Sequence, residues 1–274
     1  MKLGITLSTY PSKFGPIVFK EGDVFKDIKT IKKLEYDGVD LFTNRKTDQE
    51  IDELKRAFEN EGIEIAMYLA IFLAEMGLNL SCSDEEKRKK FVKEYKGQIE
   101  IARRIGAKRM SVGLMRGAKG DGESMEACLD KLAKSLGELC SFASNKGIKL
   151  CLEPINRYEI NTLNSVDSSI EFIEKYSLDE LGLLLDAFHM NIEDASIEGS
   201  IQKAGKRIEH FHSPDSNRLA AGWGHLDYDS ILKALIKENY DGYLTIEAFP
   251  KPDALSCAVQ SAKYFREKLI SIKG

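Results

Sequence analysis

At 274 residues, with 43% hydrophobic and 31% charged side chains, the chain is long enough for one large α/β barrel with a well-solvated exterior. A formal net charge of −4 leaves no basic footprint for nucleic acid, and no stretch approaches the ~20 apolar residues needed to cross a bilayer. The five scattered cysteines form no CxxC motif, and residues 1–7 read as a strand with no export signal behind it, so the expectation is a cytoplasmic protein with reduced thiols.

In chain order, a strand pattern at 2–7 is followed by a helix at 23–36, and a strand at 38–42 by a helix at 48–61. The alternation continues with strand 63–69 and helix 84–105, strand 108–114 and helix 124–146, and strand 148–153 and helix 165–177. Strand 181–186 and helix 196–206, strand 208–213 and helix 228–239, then strand 243–247 and helix 253–271 complete it. Several strands are nearly continuous apolar runs, as in sheets covered on both faces. Asp48, Ser83 or Asp84, Ser165, Asp227 and Asp253 stand where helix caps are wanted. Gly62, Gly106 and Gly147 stand where helices end. Eight such pairs predict a (β/α)₈ TIM barrel, a single domain over residues 1–274. The doubly wound alternative lacks a glycine-rich turn, since Thr6-Leu7-Ser8-Thr9-Tyr10-Pro11 follows the first strand. Two loops are longer than a barrel needs, at 70–82 and 115–122, both on the C-terminal face; the second, glycine-rich one reads equally as a flexible surface turn.

The last four strands share a feature. Each ends on a residue able to hold a divalent metal: Glu153, Asp186, His212 and Glu247, about one strand-plus-helix unit apart each time. Adjacent parallel strands of one barrel would bring the four together. An unpaired charge is expensive to bury, so four in succession call for a shared purpose, although Asp186 also suits a cap for the segment after it. Three carboxylates and one imidazole, without thiolate, suit Mn²⁺, Co²⁺ or Mg²⁺. Glu159, His189 and Arg218 are further polar residues near these strand ends; His210 reads as structural and His225 as shaping a loop. Cys151 reads as a small core residue.

Three segments carry a resemblance: Leu152-Glu153-Pro154-Ile155-Asn156-Arg157-Tyr158-Glu159, Leu185-Asp186-Ala187-Phe188-His189-Met190-Asn191, and His210-Phe211-His212-Ser213-Pro214-Asp215-Ser216-Asn217-Arg218. They resemble the D-tagatose/D-psicose 3-epimerase group of the xylose-isomerase-like TIM barrels. Gly222-Trp223-Gly224-His225-Leu226-Asp227 and Glu247 continue the match, with Ala221 where the family commonly has proline. The first half matches loosely, although Gly77-Leu78-Asn79-Leu80-Ser81 is similar to a substrate-side loop. The resemblance implies Glu153, Asp186, His212 and Glu247 as ligands of one divalent ion, Mn²⁺ or Co²⁺ before Mg²⁺. It implies Glu153 and Glu247 as the acid–base pair, and Glu159, His189 and Arg218 as holding the O1–O2 end of the substrate.

The implied activity is a ketose 3-epimerase acting on a free keto-sugar of the D-psicose/D-fructose or D-tagatose/D-sorbose type. It would abstract the C3 proton, form a cis-enediolate and reprotonate the opposite face. An aldose–ketose or hydroxypyruvate-type isomerase on the same metal site is the alternative. A catalytically dead sugar-binding protein is a third reading, set against by the intact pair of carboxylates. A DNA-repair nuclease of this fold would need many more histidines than four, and a basic groove. Arg116 and Lys119 raise the question of a phosphorylated substrate, but basic residues in such loops are usually solvated. Tyr10, Phe14, Tyr68 and Leu114 are candidates for contact beyond C3. Relatives often assemble as homodimers or homotetramers through the helical exterior, so a homo-oligomer is expected.

Overall fold

The apolar runs form strands because both faces of each are covered, one by the barrel interior and the other by helices. In the computed structural model, which describes residues 1–273 apart from the side chains of Glu75, Met76 and Lys273, eight parallel strands close on themselves. They are β1 (Lys2–Ser8), β2 (Gly38–Phe42), β3 (Glu64–Leu69), β4 (Arg109–Val112), β5 (Lys149–Leu152), β6 (Gly182–Asp186), β7 (Ile208–His212) and β8 (Tyr243–Ile246). Each pairs with the next in the chain, and β8 returns to β1 with Gly4 opposite Thr245. The expected (β/α)₈ barrel is the observed one.

The helices are α1 (Val24–Lys33), α2 (Asp48–Glu61), α3 (Glu85–Ile105), α4 (Met125–Ser144), α5 (Val166–Lys175), α6 (Ala187–Glu193), α7 (Ile197–Ala204), α8 (Tyr228–Lys237) and α9 (Ala254–Lys273). Side-chain caps fix where most begin. Asp84 accepts from the backbone of Glu86 and Lys87, Ser165 from Ser168, and Asp227 from Asp229 and Ser230. One expected cap is displaced by a residue: Thr47 caps α2 and Glu50 reaches back to complete a capping box, so Asp48 is the first residue inside. After β6 the chain carries two helices where one was expected. The additional one, α6, begins directly at Asp186 and becomes part of the site.

Two register shifts matter for function. The β2–β3 ladder slips between Val39 and Asp40, and the β6–β7 ladder slips between Leu183 and Leu184, so that Leu184 faces His210. Such irregularities re-aim neighbouring side chains. Here they flank Asp40 and His210, both fully buried in the barrel. Gly4 contributes from β1: a β-carbon there would lie 2.3 Å from the Thr245 hydroxyl, and its absence lets that hydroxyl reach Asp40 at 3.1 Å. All five cysteines are free, and Cys151 is a buried core residue as expected. Among the described residues, no helix is long and apolar enough to cross a membrane.

Candidate metal and substrate site

The four strand-end residues converge. His212 Nδ1 lies 3.4 Å from Glu153 Oε1, 3.5 Å from Asp186 Oδ2 and 3.6 Å from Glu247 Oε2. Each of the four residues offers one ligand atom within 4.8 Å of those of the other three, and all four residues are buried. Two of the atoms, Asp186 Oδ2 and His212 Nδ1, are enclosed without any hydrogen-bond partner. Orphaned polar atoms of this kind are costly unless something binds them. A small divalent cation, with bonds of ~2.1 Å, holds tetrahedrally placed ligands ~3.4 Å apart. The spacing and the chemistry of this donor set fit such an ion.

The local sequence accounts for each placement. Asp186 ends β6 and caps α6: its Oδ1 accepts from the backbone N–H of Phe188 at 2.7 Å and of His189 at 3.1 Å, leaving Oδ2 to face the cage. One carboxylate thus serves both readings that its sequence position allows. His212 ends β7, and its Nε2 contacts Asp40 Oδ2 at 2.9 Å. A carboxylate at Nε2 holds the proton there and turns the Nδ1 lone pair toward the cage. Behind Glu153, Gly113 has no side chain; a β-carbon there would stand 3.0 Å from the carboxylate.

Electrostatics agree with a cation-seeking cage. Burial alone would raise Asp186, yet His189, His212 and Arg218 together hold it at about 2. Burial, with the charge of Glu153 added, pushes Glu247 up to about 8 against the pull of His212 and Arg218. Burial disfavours a charged His212, but Glu247, Asp186, Asp40 and Glu153 outweigh it and drive its pKa well above the ordinary value. Three carboxylates around one imidazole draw in positive charge, and a bound cation would release the proton.

Beside the cage lies the second predicted group. Arg218 donates to Glu159 Oε1 at 2.8 Å and to Glu247 Oε2 at 3.2 Å, and stacks 4.9 Å from the Phe188 ring centroid. It occupies the left-handed region at φ 58, costly for a non-glycine residue. Backbone bonds hold it there: its N–H donates to Asp215 O, and its carbonyl accepts from Phe249 N. His189, on α6, receives Asn156 Nδ2 at its Nδ1 at 2.7 Å. Asn156 Oδ1 accepts from Tyr158 N, which fixes the amide's orientation and makes His189 Nδ1 the acceptor. The remaining imidazole proton therefore sits on Nε2, 3.5 Å from Arg218 Nη2. Both side chains therefore stand beside the cage.

A narrow cavity opens above these groups, and Glu153, Glu159, His189, Arg218 and Glu247 are among the residues that line it. Phe14 and Leu114 also line it, as expected. Tyr68 does not: it is buried in the barrel wall, its hydroxyl donating to Gln98 at 2.7 Å. Tyr10 is likewise outside the lining set. Asn79 of the 77–81 loop accepts from the Ser81 backbone and hydroxyl and is not among the residues that line the cavity. His225 shapes its loop through Ser216 at 2.9 Å. Asp215 organises the same loop by accepting from the backbone N–H of Ser216, Gly222 and Leu226, so Ala221 serves without the family's proline.

Two basic residues correct the sequence reading of the 115–122 loop. Arg116 is not solvated but fully buried, donating to the carbonyls of Gly113, Glu153, Thr162 and Leu163. Lys119 Nζ donates to the carbonyls of Gly120 and Glu123. The loop is anchored at its base rather than a loose turn. Sequence reasoning missed Asp40, whose Oδ2 meets His210 at 2.8 Å as well as His212. Its one available signal was a charge in the middle of an apolar strand.

A closed eight-stranded barrel with its polar cluster at the C-terminal strand ends defines a TIM barrel of enzyme type. A sequence model of the xylose isomerase-like TIM barrel matches residues 28–268, and the chain belongs to that family. Among curated relatives, D-psicose 3-epimerase of Ruminiclostridium cellulolyticum is 28% identical over 247 residues, covering 84% of this chain and 79% of the relative. D-psicose 3-epimerase of Agrobacterium fabrum is 36% identical over 118 residues, 43% of this chain and only 41% of the relative's length. A solved L-ribulose 3-epimerase superposes with a TM-score of 0.86 at 22% identity, covering 99% of this chain and 95% of that one.

Proposed function

We infer that the chain is an isomerase of the carbohydrate epimerase type, a ketose 3-epimerase that depends on one divalent cation and acts on a free keto-sugar. The observation that carries this reading is the pairing of two buried carboxylates, Glu153 from the end of β5 and Glu247 from the end of β8, around one cavity. β5 and β8 lie three strands apart in the closed order, so the two carboxylates reach the cavity from separate strands. Curated relatives named D-psicose 3-epimerase support it.

Glu153, Asp186, His212 and Glu247 would hold the cation: the hard donors suit Mn²⁺, Co²⁺ or Mg²⁺, and the family resemblance puts Mn²⁺ or Co²⁺ first. Bound there, it would supply Lewis acidity toward the ketose oxygens beside C3. One of the two glutamates takes the C3 proton, and the C3–H electron pair moves into an enediolate whose charge rests on O2. Arg218 Nη2 and His189 Nε2, 3.5 Å apart beside the cage, would receive that oxygen between them. The other glutamate returns a proton to the opposite face of C3, so the centre inverts and the two glutamates exchange roles. Glu159 keeps Arg218 in place. A free rather than phosphorylated sugar is favoured because Arg116 and Lys119 are engaged with backbone carbonyls and Arg218 bridges Glu159 and Glu247.

The test is to incubate the purified chain with Mn²⁺ or Co²⁺ and D-fructose or D-tagatose, and follow the C3 epimer. Solvent deuterium should enter at C3 and not at C1; entry at C1 would mean an aldose–ketose isomerase instead. Glu153→Gln and Glu247→Gln should each abolish turnover with the fold retained. Full activity in either variant would remove the two-base mechanism.

A further inference from the structure

Among the described residues that line the cavity, Arg218 alone carries a permanent positive charge. That charge is spent on the cage. Arg218 Nη2 lies 3.2 Å from Glu247 Oε2, and the same oxygen lies 3.6 Å from His212 Nδ1, within the ligand set. Glu247 thus offers one oxygen to two claimants, the guanidinium beside the cage and an ion inside it.

The guanidinium is held where it is. Backbone bonds to Asp215 and Phe249 fix its left-handed φ, the Phe188 ring stacks against it, and Nη1 is tied to Glu159 at 2.8 Å. Burial disfavours its charge, yet Glu247, Asp186, Glu159 and Glu153 outweigh it and raise its pKa. Three of those four carboxylates belong to the cage, so the empty cage already has a counter-ion. To a divalent cation the guanidinium is a like charge at the edge of the site, buried where repulsion is poorly screened. Its hydrogen bond also steadies Glu247, which favours the ion, but one bond to one ligand is the smaller effect beside a full unit of charge.

A sugar changes this balance. With the ketose O2 accepting from Nη2, the guanidinium has an acceptor other than Glu247, and the carboxylate is left to the cage. Building on the metal-dependent epimerase reading, we propose that Arg218 is the resident counter-cation of the cage and holds its affinity for a divalent ion low until the ketose binds.

Calorimetry with Mn²⁺ alone tests the first half. Arg218→Gln is expected to bind Mn²⁺ about tenfold or more tightly than the wild type. Arg218→Lys, which keeps the charge and loses the fork, should stay within about threefold of the wild type. Thermal unfolding verifies that both variants fold. Repeating the wild-type titration in a saturating ketose that the protein epimerises should tighten Mn²⁺ binding about tenfold. Equal or weaker binding by folded Arg218→Gln overturns the inference and leaves the epimerase reading standing. So does an Arg218→Lys variant as tight as Arg218→Gln, or a wild-type affinity that the sugar leaves unchanged. If no ketose is epimerised, the epimerase reading falls, and the sugar-free comparison still decides what Arg218 does to the ion. A wild-type protein that binds no Mn²⁺ overturns the metal-dependent reading and this inference together.

Discussion

Asp40 Oδ2 lies 2.9 Å from Nε2 of His212, on the side of the ring opposite the carboxylate cage. The same oxygen receives His210 at 2.8 Å, while Thr245 donates to Oδ1. Burial alone would raise this carboxyl, but the two imidazoles outweigh it and hold it at about 2. Asp40 therefore stays ionised and keeps the His212 proton on Nε2. In Asp40→Asn an amide faces the two ring nitrogens, and the His212 tautomer is no longer fixed. Cation affinity should fall by about 10- to 100-fold. Saturating Mn²⁺ should raise the wild-type Tm by roughly 5 °C, and the variant's rise at the same concentration should be much smaller. Unchanged affinity by calorimetry would show that Asp40 has no part in positioning the imidazole.

Arg116 is a buried cation held by backbone carbonyls; burial lowers its pKa to about 10 against the pull of the Glu153 charge. Lysine has neither the fork nor the reach to replace it. Arg116→Lys should cost about 3 kcal/mol in urea unfolding, because several buried carbonyls lose their donor together. A loss below about 0.5 kcal/mol, the scale of an ordinary surface change, would mean that the loop is held by other contacts.

Asp194 closes α6 and accepts from Val166 N at the start of α5, yet its Oδ2 is buried without a partner. Burial, with Asp167 and Glu193 adding to it, pushes its pKa from 3.8 to about 6. A carboxyl raised on folding favours the folded state most in its protonated form. Its contribution is fully present below pH 3.8 and is lost as pH rises through 6. Asp194→Asn removes this dependence. Because the group is partly exposed, the variant's advantage at pH 7.5 should be only about 1 kcal/mol, shrinking toward zero near pH 4. Denaturant melts at the two pH values decide it; an equal difference at both would exclude ionisation as the cause.

The sequence made the cage legible because each ligand candidate ends an apolar strand, where a polar residue stands out and the barrel dictates who its neighbours are. Asp40 was illegible for the opposite reason. It lies in the middle of β2, five strands along the barrel order from β7, and only closure of the sheet brings it to His210 and His212. The α6 helix was also hidden, since Ala187-Phe188-His189-Met190-Asn191 is too short to show a period. Its existence depends on the Asp186 cap. Arg116 was misread because a glycine-rich setting suggests exposure, while its acceptors are backbone carbonyls, which carry no signature in side-chain identity.

The residues that line the cavity are mostly apolar before α4 (Phe14, Phe42, Leu69, Ile71, Leu114, Met115) and mostly charged after it, which has a consequence for how such a protein can change. The helix α4 lies between the apolar half and the polar half, and a genetic crossover within it would exchange one wall while leaving the four cage residues intact. Bonds to the cage residues cross that seam from Asp40 to His212 and from Arg116 to the carbonyl of Glu153. A replacement first half would be free to vary in the shape it presents to the sugar, provided it returned a carboxylate and a guanidinium to those two places and kept a glycine behind Glu153.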